Sequence, residues 1–252
     1  MNSPLSSSEL TLYGNRFYPV TSGMSFVAGK AEDVASAFDL WKLDSNKIES
    51  RFGRCDGTFE SALCALEPLD GTKTLLAQTS NPAWTAVLSN HWQGGQQFHL
   101  ASIISERLRV DRVDIGVSFP STNEETGRGR KPSCHFAYSI PVLETGGDAA
   151  HVQVSDQGNH TPKWQYDHSP NYMPFEDVDA YQRRRIADRF TPEMLVDYCR
   201  NVGLEIFNEE FYDGPIFMVE QRQRNGSPSG IPGAPRSYHE VQSWFGLERV
   251  KE

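Results

Sequence analysis

Two stretches of strict alternation constrain this chain most. Val113, Ile115, Val117 and Phe119 alternate with Asp114, Gly116 and Ser118, and Phe136, Tyr138, Ile140 and Val142 alternate again beyond a polar connection. A period of two puts each apolar set on one face of a strand, so the pair reads as an antiparallel hairpin with one buried side. The connection, Pro120 to Ser133, is long, polar and glycine-rich, which predicts a mobile tip.

Shorter signals flank this hairpin. Gly23 to Ala28 reads as a strand, and Val34, Phe38 and Trp41 share one face of a helix from Ala31 to Leu43. Ile48–Phe52, Phe59–Leu66, Thr74–Gln78 and Trp84–Leu88 are apolar stretches separated by turn formers and are expected as β segments. Leu100, Ile103, Ile104 and Leu108 mark a helix over Phe98–Arg109, and His151–Val154 and Lys163–Tyr166 are expected strands. Composition favours a helix over Asp177–Phe190. Thr191-Pro192-Glu193 starts another, carried by Leu195, Tyr198, Cys199 and Val202 and stopped by Gly203. Ile216–Val219 is a last strand. These elements predict an α+β fold, a mostly antiparallel sheet packed by several helices. The expected domain spans 1–222, with residues 1–12 mobile. Residues 223–252 form a Pro/Gly-rich linker and a short docked segment, helical over His239–Leu247.

With 252 residues, a chain of this size buries about 70–75% of its unfolded surface and needs no staples. No apolar run approaches the ~18–20 residues of a membrane span, and no export signal is visible at the N-terminus, so a cytoplasmic protein is expected. Cys55, Cys64, Cys134 and Cys199 form no CxxC pair and read as buried thiols, although a Cys55–Cys64 disulfide stays open.

Chemistry is hard to find. The seven histidines form no HExxH or HxH pattern; a loop gathering His160, His168, Asp156 and Asp167 could hold a metal, but rigid ligand spacing is missing, so neither metal nor cofactor is expected. There is no Gly-x-Ser-x-Gly elbow and no phosphate-loop spacing. Gly127-Arg128-Gly129-Arg130-Lys131 superficially suits an anion but reads as a solvated hairpin tip. Arg183-Arg184-Arg185 is expected to be neutralised on a helix by Asp179 and Asp188 at i,i+4. Trp84, Trp92, Trp164 and Trp244 are mostly core by size, though they could floor a binding site.

Trp164-Gln165-Tyr166, Pro174-Phe175-Glu176, Tyr181, Arg185-Ile186, Asp188 to Leu195, Tyr198, Gly203-Leu204 and Phe211-Tyr212 recur in an order that resembles a family of uncharacterised bacterial proteins, many of them actinobacterial, which often carry a segment like Trp84-Thr85-Ala86. The resemblance covers about half of the chain. It implies a bacterial cytosolic protein and brings no catalytic activity with it.

Lys and Arg total 24 against 33 Asp and Glu, a net charge of -9, which makes duplex nucleic acid an unlikely partner. The leading expectation is a non-enzymatic binding protein, an immunity protein that occludes the active site of a cognate, basic toxin. Asp177, Asp179, Glu209, Glu210, Asp213 and Trp92 are its candidate partner-binding residues. One alternative is a hydrolase or transferase with dispersed residues such as His91, His99, Asp188 and Glu210. A second is a nucleic-acid binder using Arg183–Arg185 and the 128–131 loop.

Overall fold

The computed structural model describes residues 10–43, 48–141, 147–158, 161–223 and 236–247. They build an α+β fold around one nine-stranded antiparallel sheet. Its strands are β1 (Gly23–Ala28), β2 (Ile48–Cys55), β3 (Asp70–Gln78), β4 (Trp84–His91), β5 (Arg112–Ser118), β8 (Ser133–Ile140), β9 (Gly147–Asp156), β10 (Trp164–His168) and β11 (Ile216–Gln223). A separate two-stranded ribbon joins β6 (Ser121–Thr122) to β7 (Gly129–Arg130). The order across the main sheet is β10-β9-β8-β5-β1-β4-β3-β11-β2, so β1 lies at its centre.

Both faces of the sheet are covered. Helices α1 (Ala31–Leu43) and α3 (Gln96–Leu108) cover one face, where Val34, Phe38, Leu100 and Ile104 pack on Val27, Leu76, Val87 and Val219. The opposite face carries Met24, Phe26, Leu75, Leu88, Ile115, Phe136 and Val152. It is covered by α2 (Phe59–Cys64), α4 (Pro192–Asn201), α5 (Tyr238–Phe245) and the turns of residues 10–22. Alternation in β1 divides the work: Met24 and Phe26 face one layer, Val27 the other.

The hairpin expected from the alternation is β5 paired with β8, with Val113↔Tyr138, Ile115↔Phe136 and Val117↔Cys134 as partners. Val142 lies outside the described residues. In α4, Thr191 Oγ1 accepts the amide of Met194, and Pro192 occupies the first turn, as its start signal requires.

Two expected elements differ. Phe59–Leu66 is not a strand: Phe59, Ala62, Leu63 and Leu66 recur at i, i+3, i+4 and i+7; the first three are buried from one face of a helix over Phe59–Cys64, and Leu66 is buried just beyond it. Thr58 caps this helix by accepting the Ser61 amide at 3.2 Å. Asp177–Phe190 is not a helix but two 3-10 turns, Ala180–Gln182 and Ile186–Asp188. Its buried side chains, Ala180, Tyr181 and Phe190, do not recur at helical spacing, and Arg183 turns extended at φ −57°, ψ 143°. With no helix there, the i,i+4 pairs are replaced by Arg183–Asp177 at 3.8 Å and Arg185–Asp188 at 3.6 Å.

The cysteines also depart from expectation. Cys134 and Cys199 are buried, but Cys55 is half-buried, Cys64 is exposed, and all four are free thiols. Among the described residues no helix is long and apolar enough to cross a membrane. Residues 1–9 and 224–235, which include most of the expected mobile end and linker, lie outside the described residues.

The C-terminal helix docks on the body. Ser237 and Glu240 form a reciprocal capping box, and the Tyr238 hydroxyl donates to Leu63 O at 2.8 Å. Gln242 Nε2 donates to Arg16 O at 2.8 Å, and Val241 is fully buried.

Candidate functional site

The acidic candidates fall into two groups. Glu209 and Glu210 lie on a short 3-10 turn, Glu209–Tyr212, and Asp213 follows it; all three are exposed. The frame beneath them is rigid. Asn208 Oδ1 accepts the Glu210 amide at 3.1 Å, and Phe211 and Tyr212 are buried. Tyr212 stacks on Phe59 with centroids 4.4 Å apart and donates to Ile206 O at 2.7 Å. Ser80 N donates to Phe211 O at 2.8 Å, and Gly214 runs so close to β3 that a Cβ would stand 2.6 Å from that of Gln78.

Asp213 and Asp56 line one cleft of about 410 Å³ with Arg54, Cys55 and Gly214. None of Asp56, Glu209, Glu210 and Asp213 makes an ion pair among the described residues. Glu209 is felt inward: the Tyr13 phenol is pushed up to about 12 by burial, then by the charges of Glu209 and Glu60.

The other candidates lie elsewhere. Asp177 donates its amide to the Tyr198 hydroxyl at 2.7 Å and faces Arg183, within a cluster where Tyr181 bonds Glu176 at 2.6 Å. Asp179 is exposed beside it. Among the described residues neither shares a hydrogen bond with the Glu209–Asp213 turn. Trp92 is half-buried under α5, 6.0 Å from Trp244 and 6.4 Å from Phe245.

The dispersed catalytic candidates are not gathered. His91 stacks on Trp92, and burial lowers its pKa; His99 is exposed on α3; Asp188 pairs with Arg185. Among the described residues no three acid, histidine or cysteine groups are placed to hold a metal. Within the loop weighed for one, Asp156 accepts the amides of Gly158 and Lys163, and His168 stacks on Tyr172 at 5.5 Å; His160 lies outside the described residues. A larger apolar cleft of about 550 Å³, lined by Trp84, Tyr138, Phe175 and Val202, has no charged side chain in its wall.

The 120–133 connection is a hairpin whose tip, residues 124–129, is exposed as expected, but its base is docked: Asn123 Oδ1 accepts the amides of Glu125 and Thr126, and its Nδ2 donates to Ser243 O of α5 at 2.6 Å. Arg128 stacks 3.8 Å over Trp244. Arg130 is folded inward between Tyr18 at 4.4 Å and Phe245 at 4.9 Å, and burial pulls its pKa down to about 10. Sequence reasoning missed this because the aromatic partners come from distant segments.

Arg130 borders a small pocket of about 170 Å³ with Gly95, Ser118, Ser133 and His135. Burial holds His135 down to about 4, so it is neutral near pH 7. Its ring packs edge-on against Phe98 at 5.0 Å.

Comparisons with family models, with curated proteins and with solved structures find no match.

Proposed function

We propose that this chain is a non-catalytic binding protein for a basic protein partner, and specifically an immunity protein that covers the active cleft of a cognate toxin. The observation that carries this reading is a set of carboxylates without ion pairs among the described residues: Glu209, Glu210 and Asp213 on a turn fixed by buried aromatics, and Asp56 across the cleft from Asp213.

The cations are used differently. Arg16 pairs with Glu60, Arg112 with Asp114, Arg183 with Asp177, Arg185 with Asp188 and Arg200 with Glu205, while Arg128, Arg130 and Arg189 stack over rings. With these eight of the 17 arginines engaged inside the chain, fewer cations are left to offset the net charge of -9 at sites such as this rim. An anionic, pre-formed surface steers a cationic partner and speeds its encounter. The engaged arginines count equally against a phosphate-tracking surface, which needs several free cations in a row.

The test is co-expression with the product of the adjacent gene. A stable complex that relieves that product's toxicity is expected. Absence of both complex and relief would overturn the reading.

A further inference from the structure

We propose that the pocket beneath α5, walled by Arg130, Ser118, Ser133 and His135 at the N-terminus of α3, is a binding site for the anionic end of a small molecule, a carboxylate or a phosphate monoester. The inference is independent of the acidic rim and stands whether or not that rim meets a partner.

Arg130 is the first ground. A guanidinium has five in-plane N–H donors, and stacking uses only its faces. Tyr18 and Phe245 take those faces, while a single donor is placed, Nη2 on Gln93 O at 3.3 Å. Its Nε is shut off from solvent with no hydrogen-bond partner among the described residues, and no carboxylate pairs with the group there. The guanidinium is half-buried and no carboxylate faces it among the described residues, so an anion in the adjoining space would gain a charge-assisted bond from its remaining Nη donors.

The walls supply the rest. Ser118 and Ser133 line the pocket beside Arg130. Gly95 precedes the 13-residue helix α3 in a left-handed conformation, φ 84°, and no side chain caps its first turn, where Phe98 N donates to Gly95 O at 3.3 Å. Gly23 and Gly116 are register partners across β1 and β5, and the space above them is taken by side chains of which Phe98 and His135 line the pocket. A Cβ on Gly23 would stand 2.9 Å from Gln97 Nε2, and one on Gly116 2.3 Å from His135 Cε1. A neutral His135 offers one donor and one acceptor and leaves Arg130 as the sole cation of the wall.

Size narrows the ligand. Drug-sized sites run roughly 300–1,000 Å³, whereas a water occupies about 30 Å³ of liquid. At about 170 Å³ the pocket suits a carboxylate or phosphate group with a short stem.

The test titrates the full chain with inorganic phosphate and with acetate, using potassium chloride at matched ionic strength as the control. Saturable one-to-one binding of at least one of the two anions is expected, and which one binds separates the phosphate from the carboxylate source. Arg130→Gln should weaken it at least about tenfold, the worth of one charge-assisted hydrogen bond. Because that change also loosens α5, Ser118→Leu decides: it fills the pocket, leaves Arg130 in place, and should abolish binding. Absence of saturable binding for both anions, or binding unchanged in Ser118→Leu, would overturn the site.

Discussion

Gly116 of β5 lies directly opposite Gly23 of β1, and the ring of His135 occupies the space above Gly116 that a side chain would need. Gly116→Ala should therefore push the imidazole into Phe98 and destabilise the chain by about 1–3 kcal/mol, the usual cost of overpacking. Urea unfolding measures it; an unchanged midpoint would show that the ring moves freely.

Asp114 accepts Ser25 Oγ at 2.5 Å and faces Arg112 at 2.8 Å, under the layer of α3. Both charged groups are nearly closed off from solvent. Asp114→Ala leaves Arg112 without this carboxylate and should cost about 3–5 kcal/mol, far more than the ~0–1 kcal/mol of an exposed pair such as Arg200–Asp197. Parallel denaturation of Asp114→Ala and Asp197→Ala checks the contrast.

The pH dependence follows from His135. Burial depresses its folded pKa to about 4 from an unfolded value near 6.5, so between these values the unfolded chain binds more protons. The stability held by the neutral ring is complete above about 6.5 and is lost as pH falls toward 4, by up to about 3 kcal/mol. His91, also lowered by burial, acts in the same sense. Unfolding free energies at pH 7 and pH 4.5 should converge in His135→Gln relative to the unsubstituted chain; parallel slopes would contradict the assignment.

Helix α5 is held partly by the Tyr238 hydroxyl on Leu63 O. Tyr238→Phe removes that bond while Leu66 N still donates to the same carbonyl, so it should cost about 0.5–1.5 kcal/mol. Limited proteolysis then cuts more rapidly near residue 236, while an unaltered cleavage rate would mean that α5 is held elsewhere.

Much of the fold is legible because its signals are local. The alternation at Val113–Val117 and at Phe136–Tyr138 specifies β5 and β8, and Thr191-Pro192 announces α4. The stripe Phe59, Ala62, Leu63, Leu66 is equally local, but a short apolar run is ambiguous unless its spacing is counted. The Arg183 region defeats composition because helix-forming residues without an apolar stripe have nothing to bury. The candidate sites are less legible. Glu209, Glu210 and Asp213 stand close in sequence, yet their rigidity comes from Phe59 and Gln78. The environment of Arg130 joins Tyr18, Gln93, Ser118 and Phe245, and that meeting is set by sheet order and by the docking of α5.

The account rests most on the acidic rim, and association kinetics test it most directly. With the adjacent-gene product as partner, the association rate of the unsubstituted chain should fall about tenfold or more between low and high salt. The triple change Glu209→Lys, Glu210→Lys, Asp213→Lys should remove that salt dependence and most of the affinity while shifting stability by only about 0.5 kcal/mol, since all three side chains are exposed. A salt-insensitive rate, or full affinity in the triple variant, would contradict the claim.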